Sequence, residues 1–235
     1  MKKILLALLV LAASATTASA QVEIGLKISP SITSLRADAP SDNPFSSSSS
    51  KFSFGGGLLV DYFFGENYAF STGVFLTGKG GTYSYTEPLS AGTPVGGAPG
   101  ASRVVTQKLT AQYIELPATV KLFTNEVAPD VRLFFQVGGS VGVPIVARIN
   151  DEKFFKDPYN KNAETEAYNH VFKFDANAIL GVGAEYQLGA RTKVLGGISY
   201  HRGLVDLDRY FEKERGFRDV SIRNNVFALD LGLKF

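Results

Sequence analysis

The sequence predicts an all-β fold: an eight-stranded antiparallel up-and-down transmembrane β-barrel with four long extracellular loops and three short periplasmic turns. Three observations predict it. Apolar and polar residues alternate with a period of two in eight successive segments. Long and short connections alternate between those segments, and an export signal precedes them.

The signal comes first in the chain. Lys2 and Lys3 form a positive start, Ile4 to Ala13 a short apolar stretch, and Ala18-Ser19-Ala20 a small-residue cleavage site. That stretch is shorter than the roughly 20 residues a membrane-spanning helix needs. Residues 1–20 are therefore expected to be a signal peptide, and 21–235 a single barrel domain beginning at Gln21. The chain has no cysteine, which excludes a lipid-anchored cysteine, disulfides and thiolate metal sites. The formal charge of +2 falls to zero once Lys2 and Lys3 are removed, which argues against a nucleic-acid partner. With 24 Gly, 18 Phe and 10 Tyr and no Trp, the composition suits short strands better than amphipathic helices.

The strands follow in order. The first sets Val22, Ile24, Leu26 and Ile28 against Glu23, Gly25, Lys27 and Ser29. Segments near 52–64 and 68–80 keep the same alternation less cleanly. In the next, Ile114, Leu116, Ala118, Val120 and Leu122 oppose Tyr113, Glu115, Pro117, Thr119 and Lys121. A segment near 131–148 follows. Then Phe172, Phe174, Ala176, Ala178, Leu180, Val182, Ala184 and Tyr186 oppose Lys173, Asp175, Asn177, Ile179, Gly181, Gly183 and Glu185. A segment near 192–203 precedes the last, where Phe227, Leu229, Leu231, Leu233 and Phe235 oppose Val226, Ala228, Asp230, Gly232 and Lys234. Pro117 and Pro144 cannot donate to a ladder, and a closed barrel has no edge to hold them, so a bulge is expected at each. The connections 34–51, 81–103, 149–170 and 204–222 are long, whereas 65–67, 124–130 and 187–191 are short. This pattern places both termini in the periplasm.

Alternation alone does not separate this fold from a soluble barrel whose apolar face points inward. Three features favour lipid outside. Phe64, Tyr68, Phe123, Tyr186 and Phe235 gather where a lower aromatic girdle would lie. The polar faces mix small residues with charges of both signs, as a crowded lumen requires. The export signal supplies access to the outer membrane. By parity Glu23, Lys27, Asp61, Glu115, Lys121, Arg132, Lys173, Asp175, Glu185, Lys193, Asp230 and Lys234 then share the lumen. Buried charges must be paired, so a salt-bridged plug is expected; a selective ion path would favour a ring of one sign.

Several segments, in order, resemble the PorT-like outer-membrane β-barrel proteins. They are Gln112-Tyr113-Ile114-Glu115-Leu116-Pro117, Gly138-Gly139, Phe174-Asp175 leading to Gly181-Val182-Gly183-Ala184-Glu185, Gly203-Leu204, and Asn225-Val226-Phe227 through Phe235. The resemblance implies an eight-stranded barrel inserted by the barrel assembly machinery, with Phe235 as its assembly signal. One branch of that family is linked to secretion across the outer membrane. The family implies no catalytic residues.

Candidate chemistry is sparse. Ser199 and His201 share a strand face, as in some outer-membrane lipid hydrolases, but parity turns the pair into the lumen, away from lipid. Gly138-Gly139 and Gly181-x-Gly183 precede no helix and so are not phosphate loops. Asp61, Asp175 and Asp230 lie on separate strands without ligand spacing. No catalytic, cofactor or metal residue is assigned, and no enzyme is expected. Tyr210, Phe211 and Phe217 in the last long connection are candidate contacts for a partner. The expected role is structural or interactive, through extracellular loops in the Gram-negative outer membrane. The expected partners are outer-membrane lipid and lipopolysaccharide, the assembly machinery, and an envelope or extracellular protein. The alternatives are a transport component, either a small pore or a secretion accessory, and a lipid-acting enzyme.

Overall fold

The computed structural model of the protein describes residues 21–39, 45–89, 101–157, 163–208, 210–211 and 219–235. The expected signal segment and Phe217 lie outside them. The strands are β1 (Val22–Asp38), β2 (Phe45–Ser49), β3 (Lys51–Gly65), β4 (Tyr68–Leu89), β5 (Ala101–Ala128) and β6 (Val131–Ile149). They continue as β7 (Phe154–Asp157), β8 (Ala163–Glu166), β9 (Asp175–Gln187), β10 (Lys193–Gly203) and β11 (Ser221–Lys234). Eight of them close a ring in the order β1-β3-β4-β5-β6-β9-β10-β11, with β11 returning to β1 from Gly25↔Lys234 to Asp38↔Ser221. Every neighbour is antiparallel. Closure leaves no strand edge in hydrocarbon, where an unpaired backbone group would cost several kcal/mol.

The outward face carries the apolar alternation. Ile24, Leu26, Leu58, Leu76, Leu116, Val137, Leu180, Ile198 and Leu229 are all exposed. Each ring strand is at least as long as the roughly 9–11 residues that a tilted strand needs to cross a bilayer. At the end with short turns, Phe64, Tyr68, Tyr186 and Phe235 point outward, and Phe64 stacks on Tyr68 with ring centroids 6.1 Å apart. Phe123 departs from the expected girdle: it is 6% exposed and packs inside against Phe63 and Phe134. It shares the inward parity of Lys121, and parity overrides its position near a strand end.

Pro144 sits at a bulge, since Tyr113 pairs with Pro144 while the preceding Gln112 pairs with Val146. The expected bulge at Pro117 is absent. The β4–β5 register is the same on either side of it, at Thr72↔Ala118 and Phe75↔Glu115, with two pairs missing between. Thr72 Oγ1 donates to the Pro117 carbonyl at 2.8 Å, so a local gap in the ladder accommodates the missing N–H.

The long connections hold more structure than the sequence suggested. β4 and β5 stay paired from Tyr68↔Leu122 to Leu89↔Ala101, well into the expected loop at 81–103. At about 3.3 Å per residue, the 28 residues of β5 far exceed a hydrocarbon core. Above the Leu76↔Ile114 pair the outward residues turn polar or small: Gly78, Thr82 and Ser84 on β4, and Gln112, Thr110, Lys108 and Thr106 on β5. β2 continues this wall by pairing Phe45 with Tyr85, and β7 and β8 form a small separate hairpin.

Inside the raised wall lies a second apolar core, formed by Leu35, Phe45, Tyr83, Tyr85, Leu109, Val171, Leu207, Phe211 and Ile222 among others. Phe211 stands edge-on to Tyr85 and Phe45, at 4.9 and 5.0 Å. The expectation of an exposed Phe211 is thereby corrected: it is 1% exposed because it plugs the mouth of the barrel. Tyr210 is partly buried and meets the His170 ring edge-on at 4.7 Å.

Candidate functional site

The lumen is filled by ion pairs at two levels. At the level of the short turns, Lys234 Nζ lies 2.9 Å from Asp61, 2.7 Å from Glu23 and 2.6 Å from Glu185. Lys121 Nζ lies 2.8 Å from Asp61, and Lys193 pairs with Glu23. Three cations thus meet three carboxylates contributed by β1, β3, β5, β9, β10 and β11. Aromatic rings complete the shell: Lys121 lies 5.3 Å from the centroid of Phe134, and Lys234 5.7 Å from that of Phe63 and 5.8 Å from that of Phe123. The inward turn of Phe123 places its ring face, with its negative quadrupole, next to a buried ammonium.

The upper cluster centres on Lys79, 3.1 Å from Glu115 and 3.0 Å from Asp175. Asn224 Nδ2 donates to Asp175 at 3.2 Å, Ser140 donates to Glu115, and the Tyr113 ring centroid lies 5.2 Å from the ammonium. Between the two levels, Lys27 pairs with Asp230 at 3.1 Å and Ser29 donates to the same carboxylate at 2.6 Å. A cavity of about 50 Å³ lies beside them, lined by Ser29, Ser31, Ser71, Thr119 and Gln136 among others. It has room for a few water molecules, and hydroxyls and an amide to hold them.

Of the residues expected in the lumen, Glu23, Lys27, Asp61, Glu115, Lys121, Asp175, Glu185, Lys193, Asp230 and Lys234 lie in these clusters. Lys173 does not. It precedes β9, is exposed, and lies 5.2 Å from the Tyr168 ring centroid, because the strand geometry that parity assumed begins only at Asp175. Arg132 lies at the lower rim, donating to the Glu66 carbonyl at 2.8 Å and to Asn67 Oδ1 at 2.6 Å, so it ties two turns together. Lys79 is not among the lumenal residues expected from the sequence, although its odd number gives it the inward parity of Ser71 and Phe75. Asp61, Asp175 and Asp230 enter three different ion pairs and do not converge.

Ser199 Oγ and His201 Nε2 are 3.2 Å apart, and His201 Nδ1 is 3.7 Å from Glu115 Oε1. The order is that of a nucleophile, base and acid, yet 3.7 Å is too long for a hydrogen bond. Glu115 is already engaged by Lys79 and Ser140. The group faces the lumen beneath the aromatic core, away from lipid.

A closed ring of eight antiparallel strands with a lipid-facing apolar band and a charged, packed interior defines an outer-membrane β-barrel. The chain belongs to the family described as outer membrane protein beta-barrel domain, whose profile matches residues 13–209. Similar solved structures include Neisserial surface protein A, 11% identical over 92% of this chain and 97% of that one, with a TM-score of 0.46. OprG from Pseudomonas aeruginosa is 8% identical over 90% and 95%, also at 0.46. The outer membrane protease OmpT from Escherichia coli is 11% identical over 93% and 97%, at 0.40. No curated protein matches the sequence.

Proposed function

We propose that this protein is a non-conducting structural or interaction barrel, with the raised β4–β5 wall and its neighbouring loops displayed outside the cell and both termini in the periplasm. The observation that carries this reading is the filled lumen: two mixed-sign ion clusters lie below an aromatic plug, with a cavity of about 50 Å³ beside the Lys27–Asp230 pair between them. Eight strands enclose a bore that side chains can fill, and a mixed-sign interior provides no single-sign ring for ion selection. The outer end is therefore where partners from the envelope or outside the cell would be met. Within its family the chain fits the PorT-like group, entering the membrane through the assembly machinery with Phe235 as its signal. No catalysis is assigned, since the Ser199–His201 pair is enclosed in the lumen.

Recording from planar bilayers tests this reading. The refolded mature chain is expected to give no stable single-channel steps, and reproducible unitary currents would promote the transport alternative. Labelling of Ser199 by a fluorophosphonate, abolished in Ser199→Ala, would promote the lipid-acting enzyme.

A further inference from the structure

We propose that the outward faces of β10, β11 and β1, just above the apolar band, bind the phosphate groups of an outer-leaflet glycolipid. This rests on the orientation given above, with the raised wall outside the cell.

The apolar band on these strands ends at a common level, where Phe227 pairs with Ile32 on one side and Tyr200 on the other. One outward position higher, Arg202 pairs with Asn225; one higher again, Arg223 pairs with Arg36. Each outward step is about 7 Å along a strand, which puts the three guanidinium groups at headgroup depth. Tyr200, whose hydroxyl donates to Asn225 Oδ1 at 3.4 Å, marks the interface beneath them.

Among the described residues, two of these three charges have no acid partner. Arg36 and Arg223 are directly opposite, an arrangement that destabilises a sheet when the charges are alike. Asp38 lies 3.5 Å from Arg36. Among the described residues no carboxylate forms an ion pair with Arg202 or Arg223. Arg223 Nε and the neighbouring Ser221 Oγ are shut off from solvent without a hydrogen-bond partner. Arg202 and Arg223 differ in this from Lys108 on the opposite wall, which has its own acid, Asp151, at 2.9 Å. An anion seated among Arg36, Arg202 and Arg223 turns their repulsion into attraction, and the guanidinium fork matches phosphate oxygens in pairs. Ile32, Phe227 and Tyr200 directly below provide the surface along which acyl chains of the same molecule would lie. That continuity selects a lipid phosphate over a free one.

The test is native mass spectrometry of the folded mature chain in detergent with bisphosphorylated lipid A, dephosphorylated lipid A or inorganic phosphate. Wild type is expected to retain the bisphosphorylated form and not the dephosphorylated one. R202Q/R223Q should bind about tenfold more weakly, as loss of charge-assisted bonds implies, and R202K/R223K should recover part of that loss. Heat-dependent gel migration establishes that each variant is folded. Equal retention by R202Q/R223Q, or equal retention of the dephosphorylated lipid, overturns the proposal. Displacement by millimolar inorganic phosphate overturns the lipid as the source of the anion. A surface-protease assay on cells separates this result from the orientation on which it rests. Lipid A binding lost in R202Q/R223Q while the raised wall faces the periplasm would refute the outer-leaflet assignment and leave the anion site standing.

Discussion

Lys234, the penultimate residue, and Asp61 on β3 meet inside the barrel at 2.9 Å although 173 residues separate them. Lys234 also holds Glu23 and Glu185, so a single ammonium joins carboxylates from three other strands. Replacing it by Met should destabilise the folded barrel by about 3–5 kcal/mol, the usual cost of leaving buried charges uncompensated. Urea unfolding of the chain refolded in vesicles measures this. A Lys234→Met barrel as stable as wild type would mean that the lower cluster contributes nothing to the fold.

Facing can be tested at two adjacent residues. Leu180 points to lipid, whereas Ile179 is buried beside the lumenal cavity. Leu180→Arg should cost about 2–4 kcal/mol at mid-depth, and Ile179→Val about 0.5–1.5 kcal/mol. The same unfolding assay compares them, and the reverse order would turn the barrel inside out.

The aromatic plug should unfold apart from the barrel. Phe211→Ala removes the ring packed on Phe45, Tyr83 and Tyr85, and should cost that region about 3–5 kcal/mol. Hydrogen exchange should accelerate in β4 above Gly78 and in β5 before Gln112, while β9 and β10 keep their protection. Uniform acceleration would show that the plug and the membrane-embedded ring unfold as one unit.

Gly80 has φ +131°, and a Cβ placed there would lie 2.1 Å from the Leu109 carbonyl oxygen. Gly80→Ala should therefore strain the point where the β4–β5 wall leaves the membrane, by about 1–3 kcal/mol. A lowered unfolding midpoint is the expected reading, and an unchanged one would mean that the backbone relaxes freely there.

Orientation is tested by trypsin. In sealed cells, Lys153 at the turn above β6 should be cut, and Arg191, between β9 and β10, only after the outer membrane is permeabilised. Cleavage at Arg191 alone in sealed cells would invert the topology.

The sequence made the ring legible because burial on one face and lipid on the other impose the same two-residue period throughout. Parity alone placed Asp61, Lys121 and Lys234 on one side, and it would have placed Lys79 and Phe123 there too. Lys79 borders a connection that lacks the membrane alternation, and Phe123 lies beside a turn, where an aromatic also suits a girdle. The raised wall was harder to see. Tyr83 and Tyr85 alternate with Thr82, Ser84 and Thr86, but there the apolar face points inward and the outer face is polar, reversing the pattern of the membrane segments. Nothing in the linear sequence marks the guanidinium rim, because Arg36, Arg202 and Arg223 become neighbours only through strand register.

The seam between β1 and β11 has a consequence for biogenesis. Elsewhere in the ring, partners follow one another along the chain, but this seam joins β1 to β11, as Ser29 and Asp230 illustrate across 201 residues. Such non-local pairing is slow to form, and until it forms two strand edges stay open to aggregation. A translation product that stops short of Ser221 would lose the closing strand together with the cation that neutralises Glu23, Asp61 and Glu185. Such a product would lack both the closed ladder and the balanced charge of the lower lumen.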